Sequence, residues 1–193
     1  MRIVGGTLGG RRFSGPRGDA TRPTSERVRE ALASALEARG WIAGARVLDL
    51  WAGTGALSFE ALSRGAEHAV LVERDRRVAR AIGRSARELG LEARVRVVVS
   101  DLEKPPARWI EAAPLAPVGL VFCDPPYARV ERVGPLLAEL ARAGVLRPRA
   151  AVVVEHARRS PPSLPAAFGE VATYRYGDTA VWLGTAPEAP EPP

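Results

Sequence analysis

Val47-Leu48-Asp49-Leu50-Trp51-Ala52-Gly53-Thr54-Gly55-Ala56-Leu57-Ser58 is the stretch whose reading decides the fold. Residues 45–50 read as a buried strand, 51–55 as a glycine turn, and a helix opens near Gly55. Glycines at 53 and 55 let the chain turn sharply and let a ligand approach without a Cβ in its way. The first turn of the new helix points unpaired N–H groups at whatever rests on the bend. Such a unit makes a cofactor crevice at the carboxyl end of the first strand of an open α/β sheet.

The acids around that turn narrow the cofactor. A dinucleotide fingerprint requires G-x-G-x-x-G/A, and Ser58 holds the third position, so the fit is partial. Asp49 would repel a pyrophosphate but suits a cation. Glu73 ends the next apolar run, Ala69-Val70-Leu71-Val72, twenty residues after Gly53, where a carboxylate can accept both hydroxyls of a ribose. Asp101 follows the run Val95-Arg96-Val97-Val98-Val99-Ser100. Acids after three successive strands suit a cationic cofactor carrying a ribose and an adenine amino group, which is S-adenosylmethionine. Helix capping would explain Asp49 alone equally well; it explains the three together less well.

The bulk numbers bound the rest. A chain of 193 residues, 46% hydrophobic and 26% charged, is one globular domain with a single sizeable core. One cysteine and two histidines exclude a disulfide framework and argue against any metal site. No apolar run reaches membrane-spanning length, and the first residues lack the apolar core of a secretion signal, so the expected compartment is cytoplasmic. Residues 1–29 carry seven arginines (Arg2, Arg11, Arg12, Arg17, Arg22, Arg27, Arg29) against Asp19 and Glu26, so +5 of the net +6 lies there. A preference for arginine over lysine, 27 to 1, explains which cation is used but not the scarcity of acids in this segment. The segment reads as a basic arm for an anionic partner, most simply nucleic acid.

In chain order, residues 2–15 alternate apolar and glycine-rich pieces and predict a small β-hairpin, stable only if it packs on the main body. A loop over 17–23 leads to a helix over 24–39, with Val28, Ala31, Leu32, Ala35 and Leu36 on its core face and Arg22, Arg27 and Arg29 facing outward. Strand–helix alternation then predicts a parallel sheet. Its strands fall at 45–50, 69–73, 94–99, 118–123 and 150–155, and its helices at 56–64, 76–89, 107–112 and 132–143. A closing hairpin, 169–176 with 180–183, adds one antiparallel strand for seven in all. The expected organisation is a basic β extension over 1–23, a catalytic domain over 24–185 and a disordered tail over 186–193. Cys123 reads as core filler, His68 as surface, Trp109 and Trp182 as packing, and His156 as lying near the crevice mouth.

Asp124-Pro125-Pro126-Tyr127 directly follows the fourth strand, beside the first. The carboxylate of Asp124 and the carbonyl of Pro125 are two acceptors, Pro126 stiffens the turn and Tyr127 offers a face for stacking. That set suits a planar exocyclic amine. Held by both hydrogens, the amine nitrogen can turn its lone pair toward a methyl group already activated on sulfur. A plain Pro-Pro turn is the alternative for this motif in isolation.

Asp49-Leu50-Trp51-Ala52-Gly53-Thr54-Gly55 together with Asp124-Pro125-Pro126-Tyr127 resembles the class I S-adenosylmethionine-dependent methyltransferases acting on exocyclic amines. The finer resemblance is to the RsmD-type 16S rRNA guanine-N2 methyltransferases. Arg2-Ile3-Val4-Gly5-Gly6, Arg11-Arg12, Thr21-Arg22-Pro23-Thr24, Glu60-Ala61-Leu62-Ser63-Arg64-Gly65-Ala66 and Tyr176-Gly177-Asp178-Thr179 carry it, over roughly residues 1–184. It implies a Rossmann-like α/β fold with a small N-terminal β extension. It also implies a cofactor site of Asp49, Ala52, Gly53, Gly55, Glu73, Asp101, Leu102 and Asp124, with Glu73 on ribose and Asp101 and Leu102 on adenine. Asp124, Pro125, Pro126 and Tyr127 would hold a flipped or unpaired guanine, and Arg2, Arg11, Arg12, Arg22 and Arg27 would meet RNA. The implied partner is 16S rRNA in a partly assembled or mature small ribosomal subunit, the protein being a monomer without metal or membrane. An adenine-N6 methyltransferase shares both motifs and stays open as the alternative. Trp51, where the family more often has phenylalanine, and Ser58, Glu103 and Pro105 depart from the pattern.

Overall fold

Alternating side-chain direction along the strands divides the apolar residues between two helical layers. The computed structural model describes residues 1–15, 26–110 and 117–188. Its strands are β1 (Arg46–Leu50), β2 (His68–Glu73), β3 (Val95–Val99), β4 (Val118–Cys123), β5 (Leu146–Ala157), β6 (Gly169–Tyr176) and β7 (Thr179–Thr185). Its helices are α1 (Glu26–Glu37), α2 (Ala56–Ser63), α3 (Arg76–Leu89), α4 (Ala107–Ile110) and α5 (Val133–Arg142). Val47 of β1, Leu71 of β2, Phe122 of β4 and Val153 of β5 pack with Leu36 of α1, Phe59 of α2 and Ile82 of α3. The alternate residues Leu48, Leu50, Val70, Val72, Val121 and Val152 pack on the opposite face with Leu136, Leu137 and Leu140 of α5. Successive side chains on a strand point to opposite faces, so each strand feeds both cores.

The sheet order is β3-β2-β1-β4-β5-β7-β6. All neighbours are parallel except β7, which runs antiparallel between β5 and β6. This is the expected seven-stranded, mostly parallel sheet with one reversed strand. Strand order turns back between β1 and β4, the switch point where open α/β sheets leave a crevice. Val118–Cys123 is buried throughout, as a strand covered on both faces should be.

The fifth strand is longer than its apolar run predicts. Val118 pairs with Leu146, but Leu120 pairs with Ala151, so extra residues bulge out on β5. Arg149 sits there at φ 55°, and Pro148 beside it disguises the strand's first half as a loop.

The expected N-terminal hairpin is reduced to one antiparallel bridge, Arg2 with Arg12, around a 3-10 turn at Gly6–Leu8. Ladder bonds flank it: Ile3 N–H to Arg11 O at 2.9 Å and Phe13 N–H to Met1 O at 3.1 Å. The segment has too few pairs to stand alone and is fastened elsewhere. Ile3 and Phe13 enter the main core, and Phe13 meets Phe59 edge-on at 5.2 Å. Buried Glu60 of α2 accepts Val4 N–H at 2.9 Å and Gly5 N–H at 2.8 Å while pairing with Arg64 Nε at 2.9 Å. Arg11 donates to the last carbonyls of α3, Glu88 O at 2.7 Å and Leu89 O at 3.0 Å.

Arg29, expected to face outward, is buried on the core side of α1 and donates to Arg2 O at 2.7 Å. Helical spacing places Arg29 between Val28 and Leu32, and the docked arm covers it there, which a single-helix reading cannot show. The start expected for this helix, residues 24–25, lies outside the described residues. At the other end, Ala186 is buried and donates to Ala150 O at 2.8 Å, so order extends beyond residue 185. Of the expected tail, 189–193 lie outside the described residues.

Glu60→Ala should strip two backbone donors and one guanidinium of their acceptor. The expected loss is about 3 kcal/mol, by the cost of breaking a buried charged network, read as a fall in the urea midpoint. A loss below about 1 kcal/mol would show that the arm does not depend on this carboxylate.

Candidate active site

The glycine turn is built from alternating left-handed residues: Trp51 at φ 60°, Gly53 at 54° and Gly55 at 74°. A side chain at Gly55 would meet Leu71 Cδ2 and Phe59 Cε2, each 3.0 Å from its Cβ. Trp51 pays the local strain of that conformation because Ala52 N–H must still reach Val72 O, at 3.1 Å. Gly55 O then accepts Phe59 N–H at 2.9 Å, starting α2.

Parity places Asp49 on the same face as Val47, toward α2. Its side chain is therefore buried, 2% exposed, and Ser58 Oγ donates to Asp49 Oδ2 at 2.6 Å. Ser58, the position that spoils a dinucleotide fingerprint, is the partner that makes this carboxyl tolerable. Burial pushes Asp49 up to about 7, Ser58 pulling it down and Glu73 adding to the rise. Glu73 closes the turn from β2: one oxygen accepts Gly53 N–H at 3.1 Å, the other Asp75 N–H at 2.8 Å. Each carboxylate oxygen keeps a further acceptor site for a hydroxyl. Asp101 follows β3, its Oδ1 accepting Glu103 N–H at 3.2 Å, and Leu102 beside it is buried.

Leu50 is the register partner of Cys123, so the residues after them, Trp51 and Asp124, leave the sheet side by side. Asp124 N–H reaches Leu50 O at 3.4 Å. The glycine turn and the Asp124–Tyr127 corner therefore share one edge of the sheet at the switch point. Burial, then Glu155 and then Asp49 hold the Asp124 carboxyl well above the ordinary range. Glu155 enters because it follows Val154, the partner of Cys123 on β5. Its alignment depends on the bulge, which is why sequence reading missed it. Pro125 is buried, Pro126 exposed, and Tyr127 is 55% exposed, presenting its ring at the rim.

The remaining predicted residues scatter. Arg2 pairs with Glu26 at 2.7 Å, and both line a hollow of about 340 Å³ with Met1 and Arg12. Arg27 is exposed on α1, Arg11 is occupied on α3, and Arg22 lies outside the described residues. His156, on β5, is buried with Nδ1 2.9 Å from Ala157 O, turned to its own backbone. Among the described residues no group of His, Cys, Asp and Glu could hold a metal ion, and no helix is long and apolar enough to cross a membrane.

A parallel sheet with an acid-lined glycine turn at its switch point defines a Rossmann-like, nucleotide-cofactor-binding protein. The profile of the family described as Conserved hypothetical protein 95 matches residues 1–185, and the chain belongs to that family. It is 33% identical over 186 residues to the putative rRNA methyltransferase YlbH of Bacillus subtilis, covering 94% of this chain and 96% of that one. It is 40% identical over 129 residues to ribosomal RNA small subunit methyltransferase D of Escherichia coli K12, 67% of this chain and 61% of that protein. Among solved structures, the putative methyltransferase yhhF from Escherichia coli superposes with a TM-score of 0.78 at 34% identity, over 97% of this chain and 98% of that one. An RNA methyltransferase from Salinibacter ruber, solved with S-adenosyl-L-homocysteine, shares the fold at 19% identity and a TM-score of 0.64, over 89% of this chain and 97% of that one.

The raised Asp49 makes a stability prediction. The folded state holds this proton up to about pH 7, whereas the unfolded chain releases it near 3.8, so Asp49 removes stability as pH rises between those values. Asp49→Asn should therefore gain on the parent protein from pH 5 to pH 8, by roughly 2.5 kcal/mol at most, the gain levelling off above about pH 7. Urea midpoints at both pH values check this; a pH-independent difference would mean that the carboxyl is not strained by its burial.

Proposed function

We propose that this protein transfers the methyl group of S-adenosylmethionine to the exocyclic N2 amine of a guanine in 16S rRNA, acting as a cytoplasmic monomer on the small ribosomal subunit. The observation that carries this reading is the shared edge: the acid-lined glycine turn and the Asp-Pro-Pro-Tyr corner leave neighbouring strands β1 and β4 in register. The names of the family's relatives support an rRNA substrate. The choice of guanine N2 rests on the resemblance to the RsmD-type enzymes.

The donor set fits the cofactor. Asp49 and Glu73 flank the glycine turn, and Glu73 has acceptor sites remaining for ribose hydroxyls. Asp101 and the Leu102 wall suit an adenine edge. When bound, S-adenosylmethionine supplies an electrophilic methyl on a sulfonium and departs as the neutral thioether. The protein's part is positioning. Asp124 and the Pro125 carbonyl hold the two amine hydrogens, and exposed Tyr127 stacks on the base. As the N–C bond forms and the C–S bond breaks, the amine must shed one proton. Asp124, crowded by Glu155 and Asp49, binds a proton readily when no cation stands near. A neighbouring positive charge favours its ionised form, and loss of that charge restores its affinity for a proton. Asp124 is thus set to accept hydrogen bonds before transfer and the released proton after it.

Incubation with labelled cofactor and deproteinised rRNA, followed by nucleoside digestion, should yield N2-methylguanosine. N6-methyladenosine instead would favour the alternative enzyme. Asp124→Asn should lower kcat by about 100-fold or more while rRNA binding changes little; full activity would remove Asp124 from the reaction.

Arg2, Arg12 and Arg27, which face solvent, supply affinity in this reading together with Arg22, which lies outside the described residues. If Arg2, Arg12, Arg22 and Arg27 meet phosphates, log K against log salt should have a slope of roughly −3. The pair Arg12→Ala and Arg27→Ala should flatten it by roughly 1.5; an unchanged slope would take this face out of the binding surface. These substitutions are cleaner than deleting the arm, because Ile3 and Phe13 belong to the core.

A further inference from the structure

We propose that Arg129 is a positioning residue that couples cofactor binding to placement of the acceptor base, by tying the Asp101–Glu103 loop to the Asp124–Tyr127 corner. The inference rests on the methyl-transfer reading and adds a residue and a thermodynamic behaviour to it.

A 3-10 turn, Tyr127–Arg132, begins at the last residue of the corner. Within it Arg129 N–H donates to Pro126 O at 2.7 Å, so its backbone is bonded to the corner itself. Its guanidinium reaches the other way: Nη1 lies 2.7 Å from Glu103 Oε1 and 3.6 Å from Asp101 Oδ1. Asp101 Oδ1 also accepts Glu103 N–H, so one cation gathers a loop already closed on itself. Arg132, in the same turn, differs in kind. It donates to Leu102 O at 2.9 Å, a second tie to the same loop, but it also grips Glu139 of α5 through two bonds of 2.8 and 2.9 Å, so that tie is fixed to a helix and remains in any Arg129 variant.

Arg129 has no such anchor in the fold. Its side chain is 29% exposed, and those of Asp101 and Glu103 are 38% and 44% exposed. Ion pairs that open to water add little to stability. Yet this one joins a carboxylate assigned to adenine with the turn that carries Tyr127. A ligand drawing on Asp101 changes the pull on Arg129, and hence on the Pro126 carbonyl two bonds from the stacking ring's residue. Such coupling is reciprocal: whatever factor the cofactor imposes on base binding, the base imposes on cofactor binding.

Amide hydrogen exchange with and without saturating S-adenosylhomocysteine tests this without any RNA. In the parent protein, protection should appear at residues 53–55 and 101–103 and extend over 127–132, slowing exchange there about fivefold or more. In Arg129→Ala the first two segments should remain protected while 127–132 gain less than about twofold. Glu103→Gln, which spares Asp101, should fall between, and it serves in place of Arg129→Ala if that variant fails to fold. Equal protection of 127–132 in parent and variant, or none in the parent despite protection at 53–55, overturns the coupling and leaves methyl transfer standing. No protection at 53–55 in the parent overturns both. In a second arm with 16S rRNA, S-adenosylhomocysteine should tighten binding about fivefold in the parent and less than twofold in Arg129→Ala; equal factors again overturn the proposal.

Discussion

The hydrogen bond from Ser58 to Asp49 is the contact on which the site's geometry turns. A carboxyl at the fourth position of β1 must face the α2 layer, because Val47 does and strand parity is strict. There water cannot reach it, and burying an unpaired carboxylate costs far more than a short turn can recover. Ser58 answers this one helical turn into α2, at 2.6 Å. The bond also fixes how α2 leaves the glycine turn, and so how its first N–H groups point. The left-handed conformations at Trp51, Gly53 and Gly55 are the backbone's accommodation to that exit.

A second constraint acts from the far end of α2. Glu60 and Ser63 both turn toward the N-terminal arm: Glu60 holds Val4 and Gly5, and Ser63 accepts Leu8 N–H at 2.9 Å. One eight-residue helix thereby carries the cofactor turn at its start and the arm along its side. The arm is a wall of the main core as much as an appendage. In the proposed reading, any part it plays in recognition comes from the few side chains that remain outside, since its backbone and its apolar residues are committed to α2 and α3.

What the sequence made legible were the features whose causes are local. Apolar runs bounded by acids, glycines or prolines marked β2, β4 and α3 to within a residue, and the Gly177-Asp178 turn marked the final hairpin. The three acids and the Asp-Pro-Pro-Tyr corner were legible because each ends a strand, and parallel strands bring their carboxyl ends to one edge. Features set by distant partners were not. Arg29 shows a surface residue's identity and becomes buried only because the arm, 27 positions away, lies over it. Ser58 looked like a defect in a motif until Asp49 was seen to need it. Glu155 reaches Asp124 through a bulge that no hydrophobic period announces. Arg129 lies 26 positions from Glu103, and nothing in the intervening chain signals their meeting.

Arginine content overstates the charge available to an RNA. Of 27 arginines, several spend their donors inside the protein. Arg11 closes the end of α3, Arg29 holds Arg2 O, Arg64 binds Glu60 and Glu37, Arg94 gathers the carbonyls of Leu62, Ala66 and Glu67, and Arg132 holds Leu102 O and Glu139. A planar fork with five donors suits this work, since a single side chain satisfies two or three acceptors at once. The same property makes each such residue a poor phosphate ligand, because releasing it would orphan those acceptors. In the proposed reading, recognition therefore falls to arginines whose present partners are few and wet. Arg2 has one exposed carboxylate partner, and Arg12 on the arm and Arg27 on α1 are exposed. In a chain so rich in one cation, the pattern of hydrogen bonds discriminates structural from recognition residues where composition cannot.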